Sequence, residues 1–249
     1  MGKSRAGKKV VVSIAALCAA YGAHAGRPLV IDDADPAERG WVEFEAGVAY
    51  VGDTGSEHWD FPFGLTYGLV RNLEVGLSFG GYIAEAAHHE SGIGDLVVGA
   101  KWRFLESSPM GARHALAPSV KLPTADEKDG LGSGETDYDL AWLVSWALGD
   151  KAGIHYNLGY TFVGGADNVI HYGLAFDYQL VEPIQWVAEL FAANEVTEVW
   201  DPAVACNSGF RWFATDDLTL DVAVGTKIRG DAPDFTATAG LTWAFGTDR

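Results

Sequence analysis

From residue 41 to the end of the chain, apolar and polar side chains alternate, and the alternation holds its register for about ten residues at a time. The clearest stretch is 136–163. There Tyr138, Leu140, Trp142, Val144, Trp146 and Leu148 share one side, and Asp137, Asp139, Ala141, Leu143 and Ser145 the other. After Gly149, Asp150, Lys151 and Ala152 the pattern resumes, with Ile154, Tyr156, Leu158, Tyr160 and Phe162 opposite His155, Asn157, Gly159 and Thr161. A period of two, with no trace of 3.6, predicts an antiparallel hairpin. Its arms are longer than the usual strand of about 5–6 residues and match the roughly 9–11 residues that a tilted strand needs to cross a bilayer. The aromatic face is expected to meet lipid and the other face a lumen.

The same pattern predicts strands before and after this hairpin. Runs fall at 41–51, 61–69, 73–79, 94–104 and, more weakly, 114–122, where Pro118 interrupts; later runs cover 171–180, 184–194, 203–213, 218–228 and 235–245. With the hairpin these make about twelve strands. The run at 203–213 is the least regular, because Cys206 and Ser208 break its apolar face. Links at 70–72, 149–152, 181–183 and 214–217 are short, while the alternate links at 52–60, 84–91, 123–135 and 195–202 are mostly longer and polar. The link at 106–113 is too long for a minimal turn, and 164–168 is a short outer loop. Bacterial outer-membrane barrels show this asymmetry and an even strand count. The fold expected is therefore all-β, an antiparallel transmembrane outer-membrane β-barrel with both termini periplasmic. An exported β-sandwich would also alternate, but aromatics toward both ends of many ten-residue runs mark a membrane girdle.

Residues 1–25 change the setting. Lys3, Arg5, Lys8 and Lys9 precede an apolar stretch, and Ala23-His24-Ala25 follows it, the form of a cleaved secretory signal peptide. Residues 26–40, with Pro28 and Pro36, then read as an extended periplasmic lead-in, and 41–249 as the barrel. Losing residues 1–25 removes four cations and no acid, leaving 13 Lys and Arg against 34 Asp and Glu, a formal charge of −21. Such acidity argues against nucleic acid as a partner. Cys18 leaves with the peptide, so Cys206 stands without a partner for an intramolecular disulfide.

The inward positions are the candidate site. The lumen-lining residues expected from the alternation are Glu43, Glu45, Glu74, Asp95, Lys101, Arg103, Lys121, Asp137, Asp139, His155, Asn157, His171, Asp177, Glu189, Phe191, Arg211, Asp221 and Lys227, with Gln179 and Gln185 beside them. Both signs of charge suit cross-strand pairing as well as a wet passage. Trp41, Leu143, Val187 and Phe191 add apolar inward contacts for a hydrophobic solute. Eight-stranded barrels are filled by side chains and sixteen-stranded ones leave a channel, so twelve strands predict a narrow or gated pore.

Other chemistry is thin. Asp137, Asp139 and His171 would approach one another near the outer rim, where carboxylate and imidazole share acid–base work, but no nucleophile joins them, and no enzyme activity is expected. His88-His89-Glu90 is an adjacent set on a loop, and the 124–137 loop fails the EF-hand spacing, placing Ala125 and Thr136 where acids belong when Gly130 takes the sixth position. Neither metal nor cofactor is expected. Trp243 and Phe245 end the last strand in the manner that barrel assembly machinery reads.

Four stretches carry a resemblance: GRPLVIDDAD at 26–35, GIGDLVVGAKWRFL at 92–105, KLPTADEKDGLGSGETDY at 121–138 and LGYTFVG at 158–164. They resemble the family called "Putative MetA-pathway of phenol degradation", whose members are also called transporters. The resemblance implies a Gram-negative outer-membrane barrel that takes up small hydrophobic or aromatic compounds, with membrane lipid, the solute and the barrel assembly machinery as its partners. The alternatives are a barrel hydrolase and an adhesin or structural barrel that works through its outer loops.

Overall fold

A computed structural model of the chain describes residues 26–54, 56–85, 91–198 and 201–246. The expected signal peptide and the His88-His89-Glu90 set lie outside the described residues. Within them the long strands are β1 (Trp41–Asp53), β2 (Ser56–Val70), β3 (Leu73–Glu85), β5 (Leu96–Leu105), β6 (Arg113–Leu122), β7 (Asp137–Leu148), β8 (Ala152–Phe162), β9 (Val169–Val181), β10 (Ile184–Glu195), β11 (Ala203–Phe213), β12 (Leu218–Arg229) and β13 (Phe235–Gly246). A three-residue strand, β4 (Ser91–Ile93), extends the far end of β3. Each long strand pairs antiparallel with its neighbours in sequence, and β1 also pairs with β13, from Trp41↔Gly246 to Gly52↔Phe235. The sheet therefore closes into a twelve-stranded antiparallel barrel with no free edge, the condition under which strands can cross a membrane.

The 136–163 hairpin forms as the alternation predicts, with Tyr138↔Phe162 at one end and Leu148↔Ala152 at the other. Its turn depends on Gly149 at φ 67°, a backbone conformation that side chains disfavour. The outward face carries the large apolar residues, among them Trp102, Leu140, Leu174 and Trp243, each about half exposed in the isolated molecule. At the short-turn end these form an aromatic row in which His114 and Trp142 stack at 5.7 Å and Trp142 meets Tyr156 edge-on at 6.3 Å.

Three irregularities have local causes. The link expected at 52–60 shrinks to residues 54 and 55, because β2 begins at Ser56. Trp59 turns outward at 45% exposure and Asp60 inward at 9%, so polar residues continue the strand wherever the inner face tolerates them. Pro118 sits inside β6, but β5–β6 pairing runs only to Gly99↔Ser119 and resumes at Trp102↔Leu116, so its missing N–H falls in a gap of the ladder. β11 keeps an unbroken ladder with β10 despite Cys206 and Ser208, the outward Ser208 hydroxyl accepting a 2.9 Å hydrogen bond from Trp186 Nε1 on that strand, while its register against β12 shifts between Val204 and Ala205.

The buried core lies inside the barrel, and residues 26–38 build much of it. This segment, expected as a lead-in, is extended and enters the lumen. Leu29 and Ile31 pack against Val169, Ala175, Val187, Phe191 and Ala205, while Ala34 packs against Ala115, Ala117, Ala141 and Leu143. Small inward residues make the room. The paired glycines Gly47 and Gly240 leave the space that the Arg27 guanidinium fills, and Gly173 leaves the space for the Ile31 side chain.

Candidate functional site: a barrel lumen crossed by the N-terminal segment

Alternation along twelve strands sets a ring of inward polar side chains, and residues 26–38 run across that ring with backbone groups that need partners. The segment's hydrogen bonds and ion pairs therefore go to the wall. Arg27 makes a two-point contact with Asp221 on β12, Nε to Oδ2 at 3.2 Å and Nη2 to Oδ1 at 3.3 Å, and Nη2 also donates to Thr238 at 2.9 Å. Its backbone N–H reaches Glu45 on β1 at 3.4 Å. The Glu189 carboxylate on β10 accepts from Val30 N at 2.9 Å, from Ile31 N at 2.8 Å and from Asn207 Nδ2 at 2.6 Å.

Farther along, Asp32 binds Lys101 on β5 at 2.8 Å, and Lys101 also lies 3.6 Å from Glu74 on β3. Asn157 on β8, its amide oriented by its neighbours, accepts from Asp32 N and donates to Asp32 O, both at 2.8 Å. Asp35 receives Arg103 and, at 2.9 Å, Arg113. Glu74 accepts from Ala37 N, and the segment leaves the lumen through the Arg39↔Gly68 bridge beside β2.

One hydrogen-bonded chain follows the wall from strand to strand. Ala34 N donates to Ser145 Oγ at 2.9 Å, Ser145 Oγ lies 2.8 Å from His155 Nδ1, and His155 Nε2 lies 2.7 Å from Asp177. Gln185 donates to Asp177 at 2.9 Å and accepts from Arg211 at 3.2 Å, and Arg211 donates to the Gly26 and Arg27 carbonyls at 2.6 Å each. Five neighbouring strands, β7 to β11, thus hold the segment at Gly26–Arg27 and at Ala34. Ser145, His155 and Asp177 have the residue types of a hydrolytic triad, but Ser145 has no exposed surface and its oxygen is occupied by Ala34. The imidazole also presents Nδ1 to the serine and Nε2 to the carboxylate, the reverse of the serine-protease arrangement. The set works here as an anchor.

Most of the remaining residues of the expected set form two groups toward the long-loop end. Lys121 pairs with Asp137 and lies 3.8 Å from Asp95, and it donates to Ser133 at 2.7 Å. Asp95 accepts from Ala125 N at 3.0 Å, so this group fastens the 123–136 loop. Asp139 takes His171 Nε2 at 3.0 Å and Thr161 Oγ1 at 2.9 Å. The trio of Asp137, Asp139 and His171 therefore divides between two partners: one carboxylate goes to the imidazole and the other to a lysine. Lys227 joins Asp234 at 2.6 Å and Asp53 at 3.9 Å between links at the long-loop end. Hydrogen bonds from Lys227 and Thr54 hold the exposed Asp234 carboxyl below the usual carboxylate range. Glu43 stands opposite Ala244 and Thr66 on the inner face of β1, and Gln179 bonds the Val181 and Ile184 carbonyls near the short-turn end.

Between residues 28–30 and the wall of β1, β2, β3 and β10–β13 lies a cavity of about 160 Å³. Its walls are largely apolar, with Leu29, Val30, Pro62, Phe79, Phe191 and Ala205 among them. Asp60 and Ser78 also line it. Neither is in the set expected from the sequence, nor are Arg27, Asp32, Asp35 and Ser145. The signal for the first two was the inward parity of β2 and β3; the segment residues offered no periodicity to read.

The fold is shared with solved outer-membrane proteins. The chain is similar to the COG4313 outer membrane channel from Pseudomonas putida F1, at 15% identity and TM-score 0.63 over 86% of this chain and 98% of that one. It is also similar to the NanC porin, at 8% identity and TM-score 0.60 over 81% and 98%, and to the KdgM porin, at 10% identity and TM-score 0.58 over 82% and 99%. No curated protein matches its sequence. The family described as "Putative MetA-pathway of phenol degradation" matches residues 25–245, and the chain belongs to that family.

Proposed function

We propose that the protein is an outer-membrane channel for the passive uptake of small hydrophobic or aromatic compounds. In this reading residues 1–25 direct export, the short turns and both termini face the periplasm, and the final strand with Trp243 and Phe245 is read during barrel assembly. Bilayer lipid covers the outward aromatic face.

The observation that carries the reading is the division of the lumen. Residues 26–38 cross it under many polar restraints, and the largely apolar cavity of about 160 Å³ left beside them suits one aromatic ring better than a hydrated ion. The channel folds of the P. putida F1 protein and of the porins support a conduit. The family's description supports an aromatic solute.

The test is uptake of p-xylene and p-cresol into liposomes with and without the mature protein, alongside conductance in planar bilayers. Faster entry of the aromatic solutes with little ionic conductance is expected. Entry at the protein-free rate would remove the proposal.

A further inference from the structure

The link between β12 and β13, residues 230–234, sends its apolar pair into the barrel. Ala232 is only 1% exposed and belongs to the same buried cluster as Leu29 and Ile31. Pro233 is buried beside it, although Asp231 next to them is exposed. Pro233 also lines the cavity, at the end bounded by Val51, His58, Thr226 and Thr236, which is the long-loop end of β1, β2, β12 and β13. The chain turns inward at Gly230, where φ is 70° and a side chain would meet the Pro202 carbonyl.

Two small residues bury little apolar surface, so burial alone holds this link weakly. Asp234 supplies the rest of the hold. Its Oδ2 accepts from Thr54 Oγ1 at 2.7 Å, across in the β1–β2 link, and its Oδ1 meets Lys227 Nζ at 2.6 Å. Its backbone carbonyl accepts from Thr226 Oγ1 at 3.0 Å. The Lys227 and Asp234 side chains are 33% and 41% exposed, so each contact is worth little and opens readily. Residues 28–30 cover the cavity from within the lumen, and there the Val30 N–H is held by Glu189, which is itself 5% exposed. Of the two covers, the 230–234 link is the weaker.

We infer that residues 230–234 are a strap over the long-loop mouth of the cavity, and that Asp234 is the positioning residue whose bonds to Thr54 and Lys227 hold it closed. A solute reaches the cavity from that end when this latch opens. The place of the strap in transport rests on the uptake reading; access to the cavity is measurable without it.

The experiment places a cysteine under the strap, Ala49→Cys, and a second, in a separate protein, beneath Ala34, Ala117→Cys, both in a Cys206→Ser background. The rate of modification by methyl methanethiosulfonate is followed by mass spectrometry on the detergent-solubilised mature protein. Asp234→Ala, which removes both side-chain contacts, is expected to speed modification at Ala49→Cys about fivefold, and Thr54→Val, which leaves Asp234 paired with Lys227, about twofold, the range for exposed contacts. Asp234→Glu, which keeps a carboxylate within reach of both partners, is expected to restore the slow rate. Modification at Ala117→Cys is expected to stay unchanged throughout. Equal rates at Ala49→Cys with and without Asp234, or acceleration at both sites through a general loosening of the barrel, overturn the inference. Entry of p-xylene into liposomes separates the two readings. If Ala49→Cys responds as expected but p-xylene enters at the protein-free rate, the strap stands and the uptake reading falls; if p-xylene enters faster but Ala49→Cys ignores Asp234, uptake stands and the strap is removed.

Discussion

Lys101 and Asp32 meet 2.8 Å apart inside the barrel, with side chains only 4% and 7% exposed. The pair joins a wall strand to the N-terminal segment, and Glu74 stands 3.6 Å from the same ammonium. Removing one partner of a buried pair costs about 3–5 kcal/mol, because the other charge stays buried and uncompensated. Here the segment has an alternative: it can leave and let water in. Lys101→Met is therefore expected to release the segment without unfolding the barrel. Limited trypsin digestion checks this, with faster cleavage after Arg27 and Arg39 and retained resistance of the folded barrel to SDS.

Ser145 ties Ala34 to His155 and, through it, to Asp177. Ser145→Ala leaves the Ala34 N–H without its acceptor, a loss of about 1–3 kcal/mol. Hydrogen exchange reads this locally. The amides of residues 32–36 are expected to exchange about tenfold faster or more, while those of β7 and β8 keep their protection.

Gly173 makes room for Ile31, and a side chain there would meet the Ile31 methyl group and the Leu190 carbonyl. Gly173→Val is expected to displace the segment, with an overpacking cost of about 1–3 kcal/mol. Gly149→Ala serves as the contrast. It strains a turn at φ 67° by about 1 kcal/mol but touches no part of the lumen. Planar-bilayer recordings are expected to show raised conductance for Gly173→Val and none for Gly149→Ala.

The wall of this protein is legible in its sequence, and the contents of the wall are not. A strand with lipid on one side and a polar interior on the other has a period of two whatever its partners are. That is why the 136–163 hairpin and the inward parity of Glu189, Lys101 and Asp221 could be read directly. Residues 26–38 have no period, because each contacts a different strand: Arg27 reaches a residue 194 positions away and Val30 one 159 positions away. The prolines and acids there read as an extended lead-in, and only the pairing of Asp32 with Lys101 and of Asp35 with Arg103 gives the acids their place. The over-long link at 52–60 failed for a related reason. Polarity at His58 and Asp60 looked like loop, but it is the ordinary polarity of a face that looks inward.

Residues 26–38 fill the lumen through which the proposed uptake would run, so a hydrophobic solute is predicted to pass only when they shift from the wall. A disulfide between Ala34→Cys and Ser145→Cys, in a Cys206→Ser background, would pin the segment where Ala34 N now meets Ser145 Oγ at 2.9 Å. The direct measurement is p-xylene entry into liposomes carrying this variant, oxidised and then reduced. Entry is predicted to fall to the protein-free rate on oxidation and to return on reduction; undiminished entry through the fully oxidised protein would contradict the claim.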